Sequence, residues 1–127
     1  MSKLFMAVLL VFPVMSAAQG KPLSGDQNSL STIKKYRATC VKSAASQADA
    51  QACSWNASHA AIESANRLMK AKTGENPDRN DVSIATRKIY QACDSYDDTT
   101  LGAFAQYYKD ECKFFAASTY LEIAESN

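Results

Sequence analysis

One histidine, one tryptophan, three prolines and four glycines are spread over 127 residues. The single histidine, His59, is the most restrictive of these shortages. A Ser-His-Asp or Cys-His machine would have to run through it, as would almost any zinc site with an imidazole ligand. The nucleophile-elbow, HExxH, P-loop and dinucleotide-binding glycine patterns are all missing. A two-carboxylate mechanism needs no histidine, yet no spacing marks such a pair. Charge of one sign is lacking as well, with 14 Lys and Arg against 13 Asp and Glu. A balanced chain has no electrostatic reason to bind nucleic acid or an anionic membrane surface. No segment alternates with the period of two that marks a half-buried strand.

What is present begins at the amino terminus. Lys3 precedes a nearly unbroken apolar run over residues 4–15, and Ser16-Ala17-Ala18 supplies small residues before Gln19. That is the layout of a cleaved secretory signal peptide over residues 1–18. The run is too short to span a bilayer, which takes about 20 apolar residues. Cleavage removes Lys3 alone among the charged residues, so the mature chain is formally neutral. Residues 19–28, with Gly20, Pro22 and Gly25, read as a flexible leader. Residues 29–127 are expected to form one domain, small enough for covalent staples to matter.

Cys40, Cys53, Cys93 and Cys112 all follow the expected cleavage site. An even count in an exported chain favours two disulfides. The pairwise spacings are too long for a metal knuckle and for the CxxC motif of a redox pair. No metal or other cofactor is implied.

The remaining pattern is helical. Leu30, Ile33, Tyr36, Cys40, Val41 and Ala44 fall at helical spacing behind Ser29 or Ser31 as a cap. After a polar break at Ser46-Gln47, a long Ala-rich helix is expected from about Ala48 to Thr73, stopped by Gly74. Asn80 can cap a third helix with Val82, Ala85, Ile89, Cys93 and Tyr96 on one face. Asp97-Asp98-Thr99 interrupts it. A fourth helix would carry Leu101, Phe104, Tyr108, Cys112, Phe115, Thr119 and Ile123 inward. The fold class is therefore all-α, a bundle of about four helices.

Helical rise tests the disulfide pairing. Cys40 and Cys53 each lie about six residues from the first break, so both stand roughly 9 Å from it and a bridge is level. Cys93 and Cys112 are mismatched by about 12 Å in the same scheme, well beyond the roughly 4.4–6.8 Å that a disulfide tolerates between Cα atoms. Either the fourth helix starts late, near Ala103, or it crosses the third steeply. The other two connectivities stagger both bridges badly. The expectation is Cys40–Cys53 with Cys93–Cys112.

Two blocks around these cysteines resemble a known family. The stretch from Ser46-Gln47-Ala48-Asp49 to Cys53 resembles the "TQ-x-[DE]-M-N-x-C" segment of the LprI-like lysozyme-inhibitor family, with Cys40 at the place of an earlier family cysteine. Asn66 fits a downstream motif in which Ile62, Ala65 and Met69 depart from the family's Asp, Leu and Tyr. Leu101 and the stretch from Ala105-Gln106 to Asp110-Glu111-Cys112 are similar to the family's second block, with Lys109 in place of Arg. The resemblance implies an exported helical protein that blocks a lysozyme. Its inhibitory residues cannot be carried over position by position.

Several residues are candidates for partner contact. Asp94, Asp97 and Asp98 form an acidic cluster at a turn, suited to a cationic partner or simply to turn and cap preferences. Aromatics crowd the C-terminal half, and Tyr107 and Phe114 are assigned to a contact surface because aromatic anchors dominate binding energy. Trp55 and His59, four apart, share a helix face and are expected to pack as an aromatic pair. The functional expectation is a non-enzymatic binding protein of the periplasm, or secreted, whose partner is a cell-wall hydrolase, most specifically a lysozyme. The alternatives are an immunity protein against a secreted amidase or muramidase, and an accessory protein of an envelope secretion or conjugation system.

Overall fold

The computed structural model describes Leu23, residues 28–95 and residues 102–126. The expected signal peptide, most of the leader, Asp97 and Asp98 lie outside the described residues. Four α-helices occur among the described residues: α1 (Leu30–Lys42), α2 (Gln47–Thr73), α3 (Asp81–Ala92) and α4 (Ala105–Ser126). A 3₁₀ turn at Cys93–Ser95 follows α3 and another at Gly102–Phe104 leads into α4. No strand occurs among the described residues. The expected all-α, disulfide-stapled bundle is the observed architecture.

Local chemistry sets the helix ends. Ser29 Oγ accepts from the Thr32 N–H at 3.2 Å, Ser46 Oγ from Asp49 N–H at 3.1 Å, and Asn80 Oδ1 from Ser83 N–H at 3.0 Å. Each satisfies a backbone donor that the first helical turn cannot. Gly74 ends α2 in the left-handed region, at φ 75°, and its N–H returns to the Lys70 carbonyl. Gly102 also has positive φ, 57°, where a side chain would be strained. That turn delays the start of α4 to Ala105.

Long-range ties orient the helices. Leu30 N–H donates to Glu125 Oε1 at 2.7 Å, and Lys72 donates to the Ala124 carbonyl. An acid at the start of α1 and a base at the end of α4 both complement helix dipoles. These ties place the ends of α2 and α4 together with the beginning of α1. The two long helices are thus a parallel central pair, with α1 against α2 and α3 mainly against α4.

The seam of the central pair is built from small residues. Ala57, Ala61 and Ala65 of α2 meet Ala117 and Ala124 of α4, all fully buried. Small side chains let the backbones approach closely, and Ile33, Phe114, Tyr120 and Leu121 fill the remaining space. The leader is not loose throughout. Leu23 packs on this core, and the Asn28 N–H donates to Ser64 Oγ at 3.1 Å.

Both expected disulfides form, with Cα–Cα separations of 5.7 Å for Cys40–Cys53 and 5.6 Å for Cys93–Cys112. The late start of α4 removes part of the stagger that the sequence presented at the second bridge. All four cysteines are paired. Two disulfides place the chain in an oxidising compartment. No helix among the described residues is long and apolar enough to cross a membrane.

Two expected faces are corrected. On α4, Phe104, Tyr108 and Phe115 are exposed, whereas Ala105, Phe114, Ala117, Tyr120, Leu121 and Ala124 are buried. Close approach to α2 selects the stripe that carries the alanines, and the bulkier stripe is left outside. On α3, Val82 packs on the core and Cys93 is buried as their shared face implies, but Ala85 and Ile89 of that face are exposed to solvent while Ser83 and Thr86 are buried. The hydroxyls are accommodated because Ser83 Oγ reaches Asn66 Oδ1 at 3.4 Å and Thr86 Oγ1 donates to the Val82 carbonyl at 2.8 Å. Val41 is also exposed on α1.

Candidate functional site

Phe104, Tyr108 and Phe115 are spaced by four and seven residues, which places them along one line of the outer face of α4 and its leading turn. Phe115 is 71% exposed and Phe104 68%. Tyr107, 55% exposed, flanks the line and meets Tyr108 edge to face, with ring centroids 5.5 Å apart. Scattered surface apolar residues are ordinary, but four exposed large aromatic rings along α4 and its leading turn are a concentration of the kind that contacts partners.

This face is held against the bundle by Arg37. The guanidinium lies over the Phe114 ring, 4.3 Å from its centroid, and its Nε donates to Ser54 Oγ at 3.3 Å. It also pairs with Glu111, one turn beyond Tyr107. Burial pulls the Arg37 pKa below its ordinary value, and the neighbouring Tyr107 and Asp110 oppose that shift. An arginine so paired remains a cation. The contact binds α1, α2 and α4 at one level, beside the Cys40–Cys53 bridge. Tyr107, Val41, Gln51 and Asp110 line a groove of about 80 Å³ over it.

A parallel arrangement accompanies the other bridge. Lys113 Nζ lies 2.7 Å from Asp94 Oδ1 and 5.3 Å from the centroid of the Tyr90 ring. Burial raises the Tyr90 pKa, and Lys113 partly offsets it. Each disulfide is therefore flanked by a cation set over an aromatic ring and paired with a carboxylate. Both reinforce helix attachment.

The candidates named from sequence separate on this geometry. Tyr107 is at the surface as expected of a contact residue. Phe114 is not: it is 8% exposed beneath Arg37, so its assignment to a contact surface is corrected. Helical rotation explains it, since α4 turns Phe114 toward α1 and α2 and its neighbour Phe115 outward. Asp94 is exposed but paired with Lys113, and its cluster partners Asp97 and Asp98 lie outside the described residues. Trp55 and His59 do pack as a pair, with ring centroids 4.0 Å apart, and Trp55 is exposed. Phe104, Tyr108 and Phe115 are the contact candidates that periodicity assigned to the core.

The His59 imidazole makes no hydrogen bond among the described residues. No group of three or more His, Cys, Asp or Glu among those residues is placed to hold a metal ion. The groups that are gathered, apolar rings beside paired charges, suit surface contact. Comparisons with protein-family models, characterised proteins and solved structures return no match to this chain.

Proposed function

We propose that this chain is an exported periplasmic protein that binds and inhibits a cell-wall hydrolase, specifically a lysozyme, and has no catalytic activity of its own. The observation that carries the binding role is the row of Phe104, Tyr107, Tyr108 and Phe115 on the outer face of α4. A core helix with a second, solvent-facing aromatic stripe loses hydration free energy unless a partner covers that stripe. The two blocks resembling the lysozyme-inhibitor family and the signal-like amino terminus supply the class of partner.

The mechanism is steric. A face locked by a disulfide and by the Arg37 contacts loses little conformational freedom on docking, so more of the burial energy appears as affinity. Rings inserted at the substrate cleft of the hydrolase then exclude the glycan. The test is turnover of cell-wall substrate by c-, g- and i-type lysozymes with the oxidised mature protein added. Inhibition of one class that is lost in the Tyr107→Ala, Phe115→Ala double variant supports the proposal. Full activity of all three classes sinks it.

A further inference from the structure

A second recess lies away from the aromatic face, between α2, α3, α4 and the turn that follows Gly74. It is open to solvent, has a volume of about 120 Å³ and is lined by Ile62, Pro77, Thr86, Tyr90 and Tyr120, with Asn66, Ser83 and Arg87 completing it. Its walls are mostly carbon. A volume somewhat below the ~150 Å³ of an engineered cavity that takes up benzene suits a body of about four to six carbons.

The polar groups dictate how such a ligand would lie. Tyr120 donates its hydroxyl proton to Asn66 Oδ1 at 2.8 Å, Ser83 donates to the same oxygen, and Thr86 donates to a backbone carbonyl. The hydroxyl protons of Tyr120, Ser83 and Thr86 are thus spent within the protein, so these three groups offer little to an anion. Burial raises the Tyr120 and Tyr90 pKa values, so neither ring becomes an anion near neutral pH. At the rim, Arg87 on α3 is exposed and makes no ion pair among the described residues. Asp94, seven residues further on, is paired with Lys113. A cation at the mouth of an apolar recess is complementary to one kind of molecule.

We propose that this recess binds a small monocarboxylate, its branched or cyclic apolar body inside and its carboxylate on Arg87 at the rim. The site is separate from the aromatic face and does not depend on the hydrolase reading. The same chemistry is presented by a free acid and by the carboxyl end of a peptide, and the test distinguishes them.

The experiment is a titration of the ¹⁵N-labelled oxidised mature protein, followed by NMR, with isovalerate, with its neutral amide and with N-acetyl-L-valine. Isovalerate is expected to bind with a Kd of roughly millimolar order, as ligands of so few atoms do. It should shift the amides of Ser83, Thr86 and Arg87 and the Arg87 side-chain signal. Loss of a charge-assisted contact in Arg87→Gln should weaken it about tenfold, and the neutral amide should bind the wild type as weakly. Binding of isovalerate alone identifies a free acid as the ligand; binding of N-acetyl-L-valine as well admits a chain end. Shifts absent at ten times that concentration overturn the proposal. So do shifts centred elsewhere, or equal affinity of isovalerate for wild type and Arg87→Gln.

Discussion

Removing the Cys93–Cys112 bridge should free α3 while α1, α2 and α4 stay folded, whereas removing Cys40–Cys53 should free no helix by itself. Chain entropy does not distinguish the two bridges. Their sequence separations are 19 and 13, and loop-closure entropy assigns each about 3 kcal/mol at 25 °C. What differs is the packing behind them. α1 buries Ile33 completely, which contributes roughly 1.5–3 kcal/mol. It is also tied by Arg37 to Ser54 and Glu111, and by Leu30 N–H to Glu125. The residues that α3 itself buries are polar, Ser83 and Thr86, and its Ile89 faces water. Beyond the bridge, its C-terminal end is held by Lys113, over the Tyr90 ring and paired with Asp94, a half-exposed ion pair of about 0–1 kcal/mol.

The assay is urea unfolding combined with native-state hydrogen exchange on Cys40→Ala, Cys53→Ala and on Cys93→Ala, Cys112→Ala. Each pair of changes should cost about 3 kcal/mol in global stability. The exchange patterns should diverge. Without Cys93–Cys112, the α3 amides should exchange through a sub-global opening well below the global free energy, while α2 and α4 keep global protection. Without Cys40–Cys53, α1 should still open together with α2. The reduced wild type, which keeps its sulfur atoms, separates loss of the bridge from loss of the buried Cys93 side chain. Equal loss of protection in α1 and α3, or α3 amides that track global unfolding in both variants, would refute the reasoning.

Tyr120→Phe removes the donor to Asn66 Oδ1 in a fully buried position, and should cost about 1–2 kcal/mol in urea unfolding. Ala61→Leu or Ala117→Leu should destabilise by about 1–3 kcal/mol despite the added apolar area, because the α2–α4 seam has no space for it. Phe115→Ala, at an exposed position, should change stability by less than about 0.5 kcal/mol while reducing affinity for an inhibited hydrolase, measured by calorimetry, about tenfold. The raised pKa values of Tyr90 and Tyr120 mean that the folded state holds those protons more tightly than the unfolded chain. Stability from this source is complete below the ordinary tyrosine value of about 10 and falls as pH rises through the folded values. Tyrosine absorbance at 295 nm should show two late-titrating groups, and one fewer in Tyr120→Phe.

The helices, several of their caps and the Cys40–Cys53 bridge were legible in the sequence because each is decided locally or by arithmetic, whereas Cys93–Cys112 followed only because the other pairings were staggered worse. Ser29, Asn80 and Gly74 act within one turn of their own position, and helical rise is blind to what lies across the bundle. Which stripe of α4 turns inward is decided elsewhere. Over residues 104–123 two stripes compete, one with Phe104, Tyr108 and Phe115 and the other with Phe114, Ala117, Tyr120 and Leu121. Periodicity weighted by side-chain size favours the first. The alanines of α2 reverse the choice, because a helix whose inner face is Ala57, Ala61 and Ala65 gains most from a partner that can approach equally closely. The same logic turns α3 to present Ser83 and Thr86, whose hydroxyls find Asn66 and a backbone carbonyl, and leaves Ile89 outside. The face missed in the sequence and the candidate contact surface are therefore one feature. The long helices close on small side chains, and the aromatic rings that such a seam excludes remain on the surface of α4.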